Sequence, residues 1–436
     1  MPRMIRTLHI ALAGLACTVL GLAQGESDLR TPPKSPLLTL LEADLARSTA
    51  RAADPSLSEE QRATANARSE RMGKILAAPK NYRAQILLGE IVDKDGHKTL
   101  ERTAWRADSE YVYPASTVKL CGVVAALERV NDYRRRIAPE FSENTPIAFH
   151  PLKRGGSLLA DDPDNLDGGK ITVAHAIREV LLVSDNDSFN RLYEFCGQDW
   201  INDSMWRAGI SSARIAHRLS IQMSTAENKR TPIVELRLPS GALLVEQRSG
   251  TKDLSLNSVP EVYVGERHMQ GENKVGGPMS FFYKNRIGLY DLQTLLARIV
   301  RPDLEFEGAA FDISEAQRAL VIEALTTYPG DSQNPRYDRT KFPDDYAKFF
   351  LPGLTRVIPK AELELSGKVG LGYGFALDTS YVLDKRSGRG FFLVAAIYAD
   401  SDGTVNDEKY DYESVALPWL ADVAEIVASD VLARAK

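Results

Sequence analysis

The order of secondary-structure elements limits the fold of this chain more than any other feature of its sequence. Apolar runs separated by turn signals predict a strand pair at 84–92 and 99–105, and a second pair joins 381–383 to 391–399. Helical spacing fills the region between the two pairs, and a last helix covers 415–432. Because strands do not alternate with helices, the pattern favours an antiparallel sheet. The predicted class is α/β of the α+β type, with a central antiparallel sheet flanked by helices and an inserted all-helical subdomain.

The predicted helices share Leu- and Ala-rich spacing that places apolar side chains on one face. A buried helix is predicted to start at or near Ser116 and to run to Val130. The other predicted helices cover 36–53, 58–77, 172–182, 188–195, 289–299 and 314–327.

Residues 1–25 have the pattern of a cleaved secretory signal. Arg3 precedes an apolar run that ends in the small residues Ala23 and Gly25, as a signal peptidase requires. The run is shorter than the roughly 20 residues that a membrane-spanning helix needs. A buried N-terminal helix and, through Cys17, a lipoprotein signal are the alternatives. We therefore expect a secreted or periplasmic protein with no integral membrane span.

The remaining chain divides into two predicted parts. Residues 26–82 form an N-terminal helical extension, and residues 83–436 form the domain that carries the chemistry. Within that domain the texture changes between about 225 and 280, where 233–238 and 242–247 alternate like a hairpin, so this segment is predicted to be an insertion. The extension and the insertion are the two surfaces through which a homodimer would form.

Composition and charge exclude several kinds of partner. The chain has 54 Lys and Arg against 59 Asp and Glu, for a net charge of -5, and no basic run, so nucleic acid is not an expected partner. The six His are scattered and no CxxC pair occurs, so neither a metal site nor a cofactor is expected. Cys121 and Cys196 lie in apolar helical patterns, and a disulfide between them stays open as a possibility.

Ser116 and Lys119 place a hydroxyl and an amine three residues apart at the start of a predicted helix. Positions i and i+3 share one helix face, so the amine can reach the hydroxyl and take its proton. The free N–H groups of a helix N-terminus can also stabilise an oxyanion. The pair alone has little weight, because a helix cap followed by a surface Lys has the same pattern.

Two further motifs follow along the chain. The tripeptide Ser-Asp-Asn at 184–186 lies in the break between two predicted helices, where these residue types are also typical of an Asx turn with N-capping. The tripeptide Lys-Val-Gly at 368–370 opens an apolar segment and, by itself, indicates only the start of a strand.

Together and in this order, the motifs at 116–119, 184–186 and 368–370 resemble the set Ser-x-x-Lys, Ser-Asp-Asn and Lys-Thr-Gly of class A-like serine β-lactamases and penicillin-binding protein transpeptidases. The surrounding elements agree, since a strand pair leads into the first motif and helices flank the second. The resemblance implies a β-lactamase/transpeptidase-like fold and a serine hydrolase that works through an acyl-enzyme without a cofactor.

The resemblance also assigns catalytic roles. Ser116 would be the acylated nucleophile, and Lys119 would be the base that activates it. Ser184 would relay a proton to the leaving nitrogen or oxygen. Asp185 would brace the loop rather than react.

Four residues would bind the substrate by the same resemblance. Asn186 would hydrogen-bond the side-chain amide of the substrate, and Lys368 would supply positive charge beside Ser184 and a substrate carboxylate. Gly370 completes the third motif, and the N–H of Leu371 would share the oxyanion hole with the N–H of the nucleophile.

Two departures from the family pattern bear on the reaction. Val369 replaces the usual Thr or Ser of the third motif, and losing that hydroxyl weakens the anchoring of a substrate carboxylate by roughly tenfold or more. Leu219 and Ser220 stand where class A β-lactamases have the Glu that activates the hydrolytic water. Glu227 is a weak substitute, whose alternative role is that of a solvated loop charge. Slow hydrolysis of an acyl-enzyme follows, unless Lys119 serves both steps.

The function expected from these residues is that of an exported serine hydrolase that hydrolyses a β-lactam or a related amide or ester. Its substrate would be a small molecule or a peptidoglycan-derived one. The alternatives are a penicillin-binding-protein-like DD-peptidase or esterase with slow deacylation, and a non-catalytic binding protein that retains the fold.

Overall fold

The computed structural model describes residues 34–150 and 168–434. The predicted signal at 1–25 lies outside the described residues, as does the start of the predicted extension. In the part of the chain that is described, no helix combines the length and the apolar character needed to cross a membrane.

A five-stranded antiparallel sheet forms the centre of the fold and confirms the predicted class. Its strands are β1 (Gln85–Lys94), β2 (His97–Trp105), β10 (Leu363–Gly372), β11 (Phe375–Asp384) and β12 (Arg389–Tyr398). They lie in the order β10-β11-β12-β1-β2, so β10 is one edge of the sheet. The two predicted strand pairs therefore meet in one sheet, and β10 extends it beyond the predicted 381–399 pair.

Helices pack around this sheet, and most of them come from the chain segment that joins β2 to β10. The described helices are α1 (Pro36–Ala52), α2 (Glu59–Ala77), α3 (Lys119–Arg136), α4 (Val173–Leu182), α5 (Asn186–Cys196), α6 (Gln198–Arg207), α7 (Thr225–Lys229), α8 (Leu289–Val300), α9 (Glu315–Thr326), α10 (Leu351–Leu354) and α11 (Leu417–Ala433). Cys121 in α3 and Cys196 at the end of α5 are buried and unbridged.

Three small sheets accompany the helices between β2 and β10. Their strands are β3 (Ile147–His150), β4 (Ile233–Leu238), β5 (Gly241–Val245), β6 (Tyr263–Val264), β7 (Arg267–Gln270), β8 (Asn273–Gly276) and β9 (Met279–Ser280), together with β13 (Thr404–Val405) near the C-terminal end. The predicted hairpin at 233–247 is present as β4 and β5, which pair with β3. The pairing of β13 with β7 is parallel and joins the 225–280 segment to the loop that follows β12.

The central sheet is buried on both faces, because each face packs against a helical layer. In β12, Phe392 and Val394 face the core shared with α3, α5 and α8, whereas Phe391 and Leu393 face the core shared with α1 and α11. This alternation is the period of two that a β-strand imposes on its side chains. All four side chains are fully buried, which explains why the strand has a continuous apolar sequence.

The N-terminal helix pair packs on the outer face of the sheet. Leu41 of α1 and Met72 of α2 belong to the same core as α11. Arg68 of α2 adds a polar link, because its guanidinium pairs with Asp44 at 2.8 Å and with Glu425 of α11 at 2.6 Å. Local signals account for the helix bounds, since Ser58 closes a capping box at the start of α2.

We predict that Leu41→Ala lowers the free energy of unfolding by about 2 to 5 kcal/mol, because it opens a cavity where α1 meets the core. Leu41 is 1% exposed. Thr39→Ala changes an exposed position on the same helix and serves as the control, for which the free energy of unfolding stays nearly unchanged. Denaturant unfolding measures both. A loss below about 1 kcal/mol for Leu41→Ala would show that α1 is not part of the cooperative core.

Candidate active site

A cavity of about 1000 Å³ opens beside the edge strand β10. Of the residues singled out from the motifs, Ser116, Asn186 and Leu371 line it. Its other walls come from the 213–228 loop, the 269–280 part of the predicted insertion and the loop after β13. The cavity is therefore the place where the predicted nucleophile and two predicted substrate-binding residues meet the predicted insertion.

Ser116 lies in a 3-10 turn, Ala115–Val118, that precedes α3. The helix predicted to start at Ser116 thus starts three residues later in α form, because the chain enters through a tight turn. Ala115 has a positive φ of 44°, and Thr117 closes the turn by donating from its hydroxyl to the carbonyl of Pro114 at 2.7 Å. Side chains at i and i+3 eclipse in a 3-10 turn, so the serine and the lysine of the first motif stay on one side of it.

Lys119 is fully buried, and its amine is bound by the second motif. Its Nζ donates to Ser184, at both the backbone carbonyl and the hydroxyl, and to the Oδ1 of Asn186 at 2.8 Å. Burial, with the nearby charge of Lys368, holds the pKa of the Lys119 amine well below its ordinary value. These three bonds use all three protons of the ammonium form, and the lowered pKa favours the loss of one of them, which gives the neutral amine that a base requires.

The Ser184 hydroxyl lies between two lysine amines. Its Oγ accepts from Lys119 Nζ at 3.3 Å and from Lys368 Nζ at 2.7 Å. Ser184 has a positive φ of 60° in the break between α4 and α5, and Asp185 caps α5 by accepting from the N–H of Ser188 at 2.7 Å. The N-cap expected from the residue types is therefore present. It fixes the backbone next to Ser184 and so orients the Ser184 hydroxyl toward the two lysines.

Lys368 occupies β10 and is buried behind the cavity rather than in its wall. Burial lowers the pKa of its amine to about 7, and Lys348 contributes in the same direction. Asp378 on the neighbouring strand opposes this shift, and burial raises the pKa of that carboxyl to about 6. Sequence reasoning missed Lys348 and Asp378, because no motif includes them and only the pairing of Asp378 with Val369 brings β11 beside the third motif.

Gly370 allows β10 to pass close to the nucleophile turn. A Cβ at this position would lie 2.5 Å from the carbonyl oxygen of Pro114. This distance is too short for any residue other than glycine. Leu371 follows at the edge of the sheet and is 43% exposed. Val369 points the other way and is buried in the core beside α11. The third motif therefore lies behind the cavity, and the wall on this strand begins at Leu371.

Asn186 connects the first motif to the 213–228 loop. Its Oδ1 accepts from Lys119, and its Nδ2 donates to the hydroxyl of Ser220 at 2.7 Å. Ser220 has a positive φ of 53° and lines the cavity. Glu227 is exposed, accepts from the N–H of Ser224 in a capping box and is not part of the cavity wall. Ser220 thus occupies the position beside Asn186 where the resemblance to class A β-lactamases predicts a carboxylate.

A buried ion pair holds this loop in place. Arg218 donates from Nε to Glu194 of α5 at 2.9 Å, and its Nη2 donates to the carbonyl of Arg230 at 2.8 Å. The two charged side chains are 1% and 8% exposed. Burial raises the pKa of the Glu194 carboxyl, against the lowering effect of Arg218. The loop that presents Ser220 therefore depends on a charge pair with little access to water.

Part of the cavity wall is aromatic, which no sequence pattern predicted. Five tyrosines contribute to it, and they come from four separate segments. They are Tyr113, Tyr283, Tyr373, Tyr410 and Tyr412. No spacing links these positions, so only the folded chain brings them together.

Within residues 34–150 and 168–434, no group of three or more His, Cys, Asp or Glu side chains is placed to hold a metal ion.

An antiparallel sheet flanked by helices thus carries a cavity with a serine in its wall, and two buried lysines joined by a second serine lie behind that wall. Residues 74–238 match the model of the Beta-lactamase enzyme family. This region contains the first two motifs and is similar to that family, which supports the resemblance predicted from the motifs. No curated protein matches the sequence.

Several solved structures are similar to this chain. One is a β-lactamase from Burkholderia ambifaria, which is 14% identical over 81% of this chain and 96% of that chain, with a TM-score of 0.46. A β-lactamase from Desulfarculus baarsii is 15% identical over 84% of this chain and 97% of its own, with a TM-score of 0.46. A class A β-lactamase from Clostridium kluyveri is 14% identical over 83% of this chain and 98% of its own, with a TM-score of 0.45.

We predict that Arg218→Met lowers the free energy of unfolding by about 3 to 5 kcal/mol, because it removes the hydrogen-bonded charge partner of the buried Glu194 carboxylate. Adding Glu194→Leu to this variant should restore part of the loss, since it removes the orphaned charge. Arg237→Met, which breaks an exposed pair with Glu235, is the control and should leave unfolding nearly unchanged. Denaturant unfolding of the four proteins measures these effects, and equal losses for Arg218→Met and Arg237→Met would contradict the prediction.

Proposed function

We propose that this protein is a serine hydrolase that forms an acyl-enzyme on Ser116 with a β-lactam or a related amide or ester. One observation carries the proposal. Lys119, Ser184 and Lys368 come from three distant segments, yet their side chains are joined by hydrogen bonds behind the turn that presents the serine. Charged amines are rarely buried without a purpose, and a buried amine with a lowered pKa beside a cavity is typical of a catalytic base.

The proposed acylation uses the residues in a fixed order. The neutral Lys119 amine takes the proton of the Ser116 hydroxyl as the oxygen attacks the carbonyl carbon of the substrate. The N–H groups of Ser116 and Leu371 stabilise the oxyanion, since the first N–H groups of a helical turn lack partners within it. Ser184 then passes its proton to the leaving nitrogen or oxygen and receives in exchange the proton that Lys119 took from Ser116, since Lys119 Nζ lies 3.3 Å from the Ser184 hydroxyl. The Lys368 amine keeps this hydroxyl in place.

The location and the substrate class follow from the same proposal. The pattern at 1–25 supports export, which would place the protein outside the cytoplasm in a secreted or periplasmic form. A small-molecule or peptidoglycan-derived substrate fits the dimensions of the cavity, because pockets for drug-sized ligands have volumes of about 300 to 1000 Å³.

We predict that Ser116→Ala abolishes covalent labelling by a fluorescent penicillin or a fluorophosphonate, because the variant has no hydroxyl to acylate. Intact-mass spectrometry should show one adduct on the wild-type protein and none on the variant. Ser211→Ala, at an exposed serine, is the matched control and should label like the wild type. Equal labelling of wild type and Ser116→Ala would show that the nucleophile is another residue. Absence of labelling in every protein would favour the non-catalytic binding role.

A second candidate, a penicillin-binding-protein-like DD-peptidase or esterase with slow deacylation, is favoured by the position of Ser220. Asn186 donates to the Ser220 hydroxyl, which is too weak a base to activate water. An acyl-enzyme at Ser116 would then persist unless Lys119 also serves the second step. The lifetime of the mass adduct separates the two candidates, since a transient adduct means a β-lactamase and a lasting one means slow deacylation.

We predict that Ser220→Glu shortens the lifetime of the acyl-enzyme by about a hundredfold, the low end of what a positioned general base contributes. The new carboxylate would take the place beside Asn186 and could accept a proton from water. Ser220→Gln, with a side chain of the same size and no basic oxygen, is the matched control and should not shorten the lifetime. Time-resolved intact-mass spectrometry measures the decay. The same decay rate in all three proteins would mean that Ser220 does not face the water that attacks the acyl bond.

A further inference from the structure

Lys284 presents an amine to the cavity from the segment before α8. Its Nζ donates to the hydroxyl of Tyr373 at 3.1 Å and lies 4.8 Å from the centre of that ring. Tyr373 follows the exposed end of β10, where Leu371 also lines the cavity. A lysine amine thus lies beside the end of the strand that runs past the nucleophile.

The lysines of the motifs are not placed to meet a substrate anion. Lys119 and Lys368 are fully buried, and neither is part of the cavity wall. Val369, in the middle of the third motif, offers no hydroxyl and faces the core. The carboxylate that the third motif is expected to anchor therefore needs another positive group in this cavity.

Among the described residues that line the cavity, the Lys and Arg side chains are Arg218 and Lys284. The Arg218 guanidinium is committed to Glu194. Lys284 forms no ion pair with a carboxylate in the described part of the chain, and its partner is a neutral phenol. Because the amine donates to the phenol oxygen, the phenol proton stays free to donate outward. The pair therefore offers two donors, which suits the two oxygens of a carboxylate.

Contacts link this pair to the nucleophile turn. The Tyr373 ring lies 5.2 Å from the ring of Tyr113, which is three residues before Ser116. The imidazole of His217 also stacks on Tyr113, with 6.3 Å between the two ring centres. Burial, together with the charge of Lys284, lowers the pKa of the His217 imidazole to about 4. The histidine is thus uncharged near neutral pH, and the positive charge on this side of the cavity belongs to Lys284.

We propose that Lys284 and Tyr373 form the subsite that binds the carboxylate of an anionic substrate, in place of the third motif. The proposal rests on the function proposed above and deepens it, because it names the substrate class as amides, lactams or esters that carry a carboxylate. Glu408 lines the same cavity from the loop after β13, so the cavity contains one unpaired cation and one acid at different places along the chain. The negative end of a substrate is directed to the β10 side.

The experiment compares benzylpenicillin with its methyl ester, which lacks only the negative charge. Binding is measured by calorimetry in the Ser116→Ala background, where acylation does not occur, and acylation is measured by intact mass in proteins that retain Ser116. Lys284→Met keeps the alkyl stem against Tyr373 and removes the charge. Lys409→Met, at an exposed lysine beside Glu408 that is not part of the cavity wall, is the matched control.

We predict that Lys284→Met weakens binding of benzylpenicillin by about tenfold to a hundredfold, which is the expected value of a hydrogen bond to a charged group. The ester should bind equally to both proteins, and Lys284→Arg should recover most of the lost affinity for the acid. Lys409→Met should behave like its parent. The acylation rate at low concentration should follow the same order.

Several results would overturn the subsite. They are equal losses for acid and ester, no preference of the unsubstituted protein for the acid, or no measurable binding of the acid at millimolar concentration. Failure of acylation at Ser116 while the charge-dependent binding persists would instead overturn the hydrolase function and leave the subsite standing.

Discussion

The burial of two lysine amines against one serine hydroxyl is the interaction on which the rest of this site depends. Lys119 and Lys368 have no access to water, and both approach Ser184. Burying two amines so close together is costly unless one or both become neutral, and the lowered pKa values of both groups are the consequence. The same cost that destabilises the charged forms favours the neutral amine that the proposed proton transfer from Ser116 requires.

The supporting structure explains how such a costly arrangement persists. The central sheet is packed on both faces, so β10 has little freedom to move away from the turn at Ala115–Val118. Gly370 lets the two backbones approach, and the N-cap at Asp185 orients the hydroxyl between the amines. The outer layer of α1, α2 and α11 contributes to the site only through this packing, because none of its side chains reaches the cavity.

Local patterns predicted most of the scaffold and the first members of the site. The bounds of α1 and α2 agree with their predicted ranges within a residue or two, because capping residues and apolar spacing are local signals. The start of α3 was predicted too early, since a 3-10 turn and an α-helix have similar sequence patterns. Lys348 and Asp378 were missed because their proximity to the third motif arises from strand pairing, which pattern reading does not register.

The sequence by itself determined which residues are proposed to carry the chemistry, because the types and the order of the three motifs point to Ser116, Lys119 and Ser184. Only the tertiary structure decided what surrounds them. Asn186 is bound between the first motif and Ser220, and Lys284 meets a phenol 89 positions further along the chain. The physical reason is that hydrogen bonds and charges act over a few ångströms in space, whereas sequence patterns report neighbours along the chain.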